Sequence, residues 1–210
     1  MGSKRAHGRR PQQARRDAAR AALLRAAGEV FADRGFVATT LDAVASAAGV
    51  TKGAIYYAFD GKEELFLALQ EERFDALAAD VGRARDAMVA GQSVGPTVAA
   101  GLPFDRDWNR LFLEFVAHAI RRPAFRARLL VRLRGRRNAH ADAVQAVAEG
   151  TGKTLVLSPE RLARLMSGLA NGLAIDALID PDLDAAALLG EGFELLWRAA
   201  TTTAFGESGS

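Results

Sequence analysis

The apolar positions of this chain recur mostly at steps of three and four residues, which is the period of an amphipathic α-helix. The stretch from Asp17 to Arg34 shows this pattern clearly. Asp17 suits the N-terminus of a helix, and Gly35 suits the position just past its end. The pattern therefore predicts a first helix over 17–34. Its apolar face consists of Leu23, Leu24, Ala27, Val30 and Phe31.

Seven further helices follow from the same pattern, read together with capping residues and helix breakers. A strong start signal is Ser158-Pro159-Glu160, because Ser suits the N-cap and Pro the first helical position. Residues 91–104 contain Gly and Pro and are predicted to form a loop, and only Thr154–Leu157 hints at a strand. The fold class is therefore all-α. The predicted helices cover about 40–48, 51–59, 62–88, 105–121, 124–148 with Gly135 as a candidate break, 158–179 and 184–201.

Two of these helices are short and are joined by a turn at Gly49-Val50, the arrangement of a helix-turn-helix. At about 100° per residue, one side of the second helix points inward with Val44 and Val50; that side carries Ile55 and Phe59. The opposite arc lacks large aliphatic side chains, so it can enter a major groove. The arc consists of Gly53, Ala54 and Tyr57. On the pattern alone, two short packing helices without a DNA-binding role remain an equal alternative.

The residue types around this turn suit contacts to DNA. Hydroxyl side chains and backbone N–H groups at helix starts can hold phosphates, and lysines supply positive charge. Gly53 and Ala54 remove bulk, while Tyr57 offers a hydroxyl and a ring to a phosphate or a base edge. The predicted DNA-binding residues are Thr39, Thr40, Thr51, Lys52, Gly53, Ala54, Tyr56, Tyr57 and Lys62.

The charge distribution agrees with a polyanionic partner at one end of the chain. Residues 1–62 carry 11 Lys and Arg against 5 Asp and Glu, whereas residues 63–210 carry 17 against 20. Six basic residues and no acid lie in residues 1–16, which we predict to be a disordered arm. Such an arm can reach DNA, or it can be an idle tail. Its basic residues are Lys4, Arg5, Arg9, Arg10, Arg15 and Arg16.

The run from Leu24 to Leu65 resembles the DNA-binding domain of the tetracycline-repressor (TetR) family of bacterial regulators. The resemblance implies a homodimer, a palindromic operator and repression relieved by a ligand. Two positions depart from the family pattern: Ala58 stands where His is frequent, and Gly61 where a capping Ser, Thr or Asp is frequent. The matching segments are Ala26-Ala27 to Phe31, Gly35-Phe36, Thr39-Thr40, Val44-Ala45, Ala48-Gly49-Val50-Thr51-Lys52-Gly53, Ile55-Tyr56-Tyr57, Phe59, Lys62-Glu63 and Leu65.

The domain organisation follows from these elements. We predict the basic arm over 1–16, a three-helix DNA-binding domain over 17–62, a helical-bundle domain for ligand binding and dimerisation over 63–204, and a flexible tail over 205–210. Small residues alternate with large ones in the helix after Ser158, and the last helix is too apolar for one buried stripe. Both features favour a four-helix dimer seam, although an intramolecular core would explain them too. The predicted seam residues are Leu165, Gly168, Leu169, Gly172, Leu189, Phe193, Leu196 and Trp197.

A ligand pocket is expected among the long helix and those that follow it. An aromatic stripe at helical spacing is also typical of an ordinary core, and His118 fits a core position between apolar neighbours. Residues 121–137 contain eight arginines and no acid, a run typical of a solvated helix face that could also attract an anionic ligand. The candidate pocket residues are Met88, Trp108, Phe112, Phe115, His118, Met166 and Asn171.

Other classes of function find little support. The chain has no cysteine, which excludes disulfides and thiolate metal sites, and we expect no metal or cofactor. Gly150-Thr151-Gly152-Lys153-Thr154 has Val147 where a phosphate-binding loop needs Gly, and no catalytic motif is present, so we expect no enzyme. No apolar run approaches the roughly 18–20 residues of a membrane span, so a cytoplasmic location is expected. The alternative to a regulator is a helical ligand-binding or scaffolding protein with a non-functional helix-turn-helix.

Overall fold

The computed structural model describes residues 9–101 and 105–203. These residues form nine α-helices and two short strands, so the all-α prediction is confirmed. The strands pair antiparallel, with Leu155 opposite Thr201. The elements are α1 (Arg9–Ala38), α2 (Leu41–Ala47), α3 (Lys52–Ala58), α4 (Lys62–Val89), α5 (Val94–Gly101), α6 (Arg106–Ile120), α7 (Pro123–Gly150), β1 (Lys153–Leu155), α8 (Pro159–Ile179), α9 (Ala185–Ala200) and β2 (Thr201–Thr203).

Helix α1 begins at Arg9, eight residues before the predicted start. Residues 9–16 of the predicted arm are therefore helical, and the physical reason is their composition. Pro11 is tolerated in a first helical turn, and Gln, Ala and Arg are good helix formers. At the other end, Gly35 has φ 73° and ψ 171°, which interrupts the helix where the sequence predicts its end. Residues 1–8 of the arm and the predicted tail, 205–210, lie outside the described residues.

The predicted loop over 91–104 is wrong, because α5 occupies much of it. Tertiary packing explains the helix: α5 lies against α9, and a Cβ on Gly95 would come within 2.8 Å of the Gly190 carbonyl oxygen. Only glycine permits this approach. The Gly95 N–H also donates to Glu194 Oε2 at 3.1 Å, and this bond is the main reason why the pKa of Glu194 lies below its ordinary value.

The remaining helix boundaries lie close to the predicted ones. α8 has its N-cap at Ser158, whose side chain accepts from the Arg161 N–H, as the start signal predicts. Gly135 does not break α7, which is continuous from Pro123 to Gly150. A single glycine inside a long helix costs only about 1 kcal/mol, which the packing of the rest of α7 offsets.

The chain divides into two compact units. The first comprises the chain up to Arg73 together with Glu114–His118 of α6, and so extends beyond the predicted domain over 17–62. Its core is aromatic: the Phe66 and Phe115 rings stack with centroids 4.1 Å apart, and Phe36 meets both edge-on at 5.5 and 5.2 Å. Burial of this cluster holds together the C-terminal part of α1, the N-terminal part of α4 and the segment Glu114–His118 of α6.

The second unit comprises Phe74–Leu113 and Ala119 onward. Its core lies between α7, α8 and α9, with α5 packed on α9. The β1–β2 ladder joins the loop before α8 to the end of α9. The buried members of this core are Val94, Val147, Ala148, Leu162, Met166, Leu189, Trp197 and Ala200.

Helix α8 is more apolar as a whole than its short uninterrupted apolar runs suggest. It has 21 residues with a mean hydropathy of 1.3 in its most apolar window, which makes it long and apolar enough to cross a membrane by length and composition alone. The sequence expectation concerned uninterrupted apolar runs, and α8 has none of about 18 residues, because Arg164, Asn171 and Asp176 interrupt it. Interspersed Gly, Asn and Ser residues hide this apolar character from inspection of uninterrupted runs. Only 22% of that window is buried.

Candidate DNA-binding surface

Helices α2 and α3 begin at threonine caps. Thr40 accepts from the Ala43 N–H at 3.2 Å, and Thr51 accepts from the Ala54 N–H at 3.3 Å. Between the helices the Val50 N–H bonds to the Ala45 carbonyl at 3.0 Å, which closes the turn. These local bonds fix the two short helices as the predicted helix-turn-helix.

The outward face of α3 is open and built from small residues. Gly53 and Ala54 are exposed, and Tyr57 is 82% exposed. Ile55 and Phe59 are buried at 0% and 2%, on the side predicted to face inward. No atom lies within 4 Å of a Cβ built on Gly53, so the described part of the protein does not cover this face. A duplex groove could therefore approach the α3 backbone closely.

A polar triad joins α2 to α3 beside this face. Lys52 Nζ lies 2.7 Å from Asp42 Oδ2, and the Tyr56 hydroxyl lies 3.5 Å from Asp42 Oδ1. The hydrogen bond to Asp42, followed by the charge of Asp42, raises the pKa of Lys52 above its ordinary value. The sequence pattern gives no sign of this role for Asp42, because its partners lie 10 and 14 residues away and meet it only once the two helices are docked.

We expect Asp42→Asn to strengthen DNA binding. The change releases Lys52 from its carboxylate and removes a negative charge that repels phosphates. The plot of log affinity against log salt should steepen by about one per subunit, and affinity at low salt should rise about three- to tenfold. Fluorescence anisotropy titrations at several salt concentrations measure both. Asp107→Asn, which removes the same charge from the exposed first turn of α6, is the control. Weaker binding of Asp42→Asn at an unaltered salt slope would contradict this electrostatic role.

Two of the predicted DNA contacts are instead engaged with the protein's own backbone. The Thr39 side chain is 1% exposed, and its hydroxyl donates to the Gly35 carbonyl at 2.7 Å. Lys62 Nζ donates to the carbonyls of Phe36, Val37 and Thr39 at 2.8, 2.6 and 3.1 Å. An ammonium group has three N–H donors, so these carbonyls can occupy all of them. Thr39 and Lys62 therefore shape the turn before α2, which corrects their assignment as phosphate contacts.

The comparison with family models agrees with this geometry. Residues 23–69 match the model described as "Bacterial regulatory proteins, tetR family". Residues 97–191 match the model described as "BetI-type transcriptional repressor, C-terminal". The chain belongs to the TetR family. The first match contains α2, α3 and the caps of both helices, so the open face of α3 lies within the segment that defines the TetR DNA-binding domain.

Individual proteins are also similar to this chain, one in sequence and two in structure. The HTH-type transcriptional activator FasR of Mycolicibacterium smegmatis is 44% identical over 76 residues, which is 36% of this chain and 35% of FasR. The match thus spans about a third of the length of that relative. Among solved structures, a TetR regulator from Haloarcula marismortui has a TM-score of 0.68 at 16% identity, covering 89% of this chain and 100% of the other. Thermus thermophilus FadR in complex with lauroyl-CoA has a TM-score of 0.62 at 23% identity, covering 90% and 100%.

The candidate ligand residues of this TetR-family chain are dispersed. Phe115 and His118 belong to the first unit, where Phe115 is fully buried in the aromatic cluster and His118 Nε2 lies 2.8 Å from Glu63 Oε1. The structure thus corrects their assignment to a pocket, because α6 enters the first unit at Glu114. Met88 and Met166 contact the core of the second unit, whereas Asn171 is exposed. Trp108 and Phe112 are half-buried in the second unit and remain predictions.

The arginine-rich stretch of α7 is not uniformly solvated. Burial, together with the charge of Arg137, lowers the pKa of Arg136 to about 10. Burial, followed by the charge of Arg136, lowers the pKa of His140 below its ordinary value. Arg126 and Arg134 are exposed, as a solvated face requires. The predicted solvated face of α7 therefore holds for Arg126 and Arg134, whereas Arg136 and His140 are partly buried.

Some residues of the predicted dimer seam lie in the core of the second unit, and others are exposed on its surface. Leu189 and Trp197 are 1% and 4% exposed and belong to the second unit's own core, so their assignment to the seam is wrong. Leu169, Phe193 and Leu196 are half-buried against the same core. What remains on α8 is a stripe of exposed apolar and glycine positions at steps of three and four residues, which we call the α8 stripe. Its members are Leu165, Gly168, Gly172, Ile175 and Ile179.

Proposed function

We propose that this protein is a transcriptional repressor. It binds a palindromic DNA operator as a homodimer and leaves the operator when a small molecule binds its C-terminal unit. It acts in the cytoplasm and needs neither a cofactor nor an enzymatic activity. The single observation that carries the proposal is the open, small-residue face of α3, with Tyr57 82% exposed beside Gly53 and Ala54.

The α8 stripe supports the homodimer. Leu165, Ile175 and Ile179 are 49%, 40% and 79% exposed, which is costly for large apolar side chains in water. No atom lies within 4 Å of a Cβ built on Gly168 or Gly172, so nothing described in this chain requires glycine there. Small residues at this spacing let a second helix approach closely. A two-fold pair would present α3 twice, which suits two half-sites of a palindrome.

The C-terminal match supports a repressor with an effector. The model that matches residues 97–191 describes a transcriptional repressor, and FadR of Thermus thermophilus was solved with lauroyl-CoA. FasR, in contrast, is described as an activator. The position of the operator relative to the promoter distinguishes the two modes: a site overlapping the promoter supports repression, and a site upstream of it supports activation.

Selection of bound duplexes from random DNA tests the proposal. We expect a palindromic consensus, and we expect Tyr57→Ala to weaken binding to it about tenfold, because a ring and a hydroxyl are lost from each half-site. Glu149→Ala, an exposed change in α7, is the control and should bind normally. Recovery of no sequence, with no salt-dependent affinity for any duplex, would favour the ligand-binding or scaffolding alternative and overturn the proposal.

A further inference from the structure

The turn between α1 and α2 is held by side chains from outside it. By this turn we mean the segment from Gly35, where α1 is interrupted, to Thr40, the cap of α2; Gly35 and Phe36 are its first residues and lie within the bounds of α1. Glu114 of α6 receives the Phe36 N–H on Oε2 at 2.8 Å. On the other side, Lys62 binds the Phe36 carbonyl at 2.8 Å. A carboxylate therefore binds the N–H of Phe36 and an ammonium binds its C=O, and both hydrogen bonds are charge-assisted.

The carboxylate of Glu114 also occupies the space beside Gly35. A Cβ on Gly35 would lie 2.6 Å from Glu114 Oε2 and 3.0 Å from Oε1. Gly35 has φ 73°, a conformation that glycine adopts without strain. The glycine thus serves both the turn and the approach of the carboxylate. Glu114 and this turn are 78 residues apart in sequence and lie in the same compact unit.

We propose that Glu114 is a positioning residue for operator binding, an inference that rests on the proposed function. Glu114 does not touch DNA in this proposal. It fixes the direction in which the chain leaves α1, and so the placement of α2 and of α3 docked on it. The neighbouring contacts of α6 support this role: Phe115 packs on Phe36 at 5.2 Å, and the His118 ring lies 4.8 Å from that of Phe36.

If Glu114 positions α3, its loss should change affinity for the operator and affinity for a random duplex differently. Base contacts require α3 in its correct place, whereas attraction of a basic surface to any duplex does not. Loss of Glu114 should therefore lower affinity for the operator and leave affinity for random duplex unchanged or slightly raised, since a negative charge is removed. A general loss of folded protein would lower both affinities by the same factor.

The experiment compares Glu114→Ala and Glu114→Gln in the full chain, using the sequence selected by the unaltered protein and a random duplex of equal length. For Glu114→Ala we expect about tenfold weaker operator binding with random-duplex binding retained. Glu114→Gln keeps an acceptor for the Phe36 N–H and should recover most of the affinity. Glu149→Ala controls for the loss of one negative charge.

Hydrogen exchange of the Phe36 amide gives a second, independent measurement. Its protection should fall in Glu114→Ala and persist in Glu114→Gln. Operator affinity unaltered in Glu114→Ala, or an equal loss of operator and random-duplex binding, would overturn the inference. Should Glu114→Ala fail to fold, Glu114→Asp replaces it: its carboxylate is one methylene shorter, so we expect weaker operator binding with random-duplex binding retained, and lost Phe36 protection at full operator affinity would overturn the inference. Failure of the unaltered protein to select any sequence would instead overturn the proposed function.

Discussion

Gly53→Leu should abolish operator recognition while leaving the protein folded. Gly53 lies on the exposed face of α3, and no described atom lies within 4 Å of a Cβ built there. A side chain at this position therefore meets no obstacle at its Cβ, and leucine favours a helix over glycine by about 1 kcal/mol. In a groove, however, it would hold α3 away from the bases. Contacts worth about 1–3 kcal/mol would be lost at each of two half-sites, so operator affinity should fall about a hundredfold or more.

The chain offers a matched control for this change. Gly135 is also an exposed helical glycine with nothing within 4 Å of an added Cβ, but it lies in α7. Gly135→Leu should bind the operator normally in the same anisotropy titration. Circular dichroism and light scattering should show that both variants remain folded and dimeric. Normal operator binding by Gly53→Leu would mean that α3 does not enter the groove.

The sequence predicts those features that depend on local chemistry. The start of α8 is encoded by Ser158 and Pro159 next to each other, and its end by Pro181. The open and buried sides of α3 follow from helical period alone, because Ile55 and Phe59 are the large apolar residues near its inner side. Such features need no knowledge of what packs against the helix.

Features that depend on packing partners could not be predicted in this way. α5 is a helix because Gly95 allows it to lie against Gly190, a contact between residues 95 positions apart. α9 is apolar on two sides, and the period does not reveal that Leu189 faces the core while Leu195 is 68% exposed. Likewise, the stripe of α6 gave no sign that Phe115 belongs to a different unit from Phe112. In each case the assignment depends on long-range contacts.

Thr39 and Lys62 were assigned incorrectly to the DNA-binding set because their partners depend on how the chain turns after Gly35. Thr39 and Thr40 are adjacent hydroxyl residues at a helix start, and both suit an N-cap. Only the direction of the preceding turn decides between them: Thr40 caps α2, whereas Thr39 is 1% exposed and bonds back to Gly35. Lys62 was predicted to contact phosphate because lysine commonly does so. Its ammonium group instead donates to the carbonyls of Phe36 and Val37.

Gly172→Leu should convert the proposed homodimer to monomers. Gly172 lies in the middle of the α8 stripe and is exposed, and no described atom obstructs a Cβ built there, so the isolated chain should tolerate the leucine. In a two-fold interface the same residue occurs on both sides, and the extra bulk acts twice. At about 1–3 kcal/mol for each overpacked side chain, the dissociation constant should rise about a hundredfold. Sedimentation velocity over a range of concentrations measures this change directly.

Gly135→Leu serves again as the control, because it makes the same substitution at an exposed helical glycine outside the stripe. Gly53→Leu and Gly172→Leu should then differ in oligomeric state. Gly53→Leu should remain dimeric without operator binding, whereas Gly172→Leu should lose both, since one α3 can hold only one half-site. Retention of the dimer by Gly172→Leu would place the interface elsewhere and leave the exposure of Leu165, Ile175 and Ile179 without a physical reason.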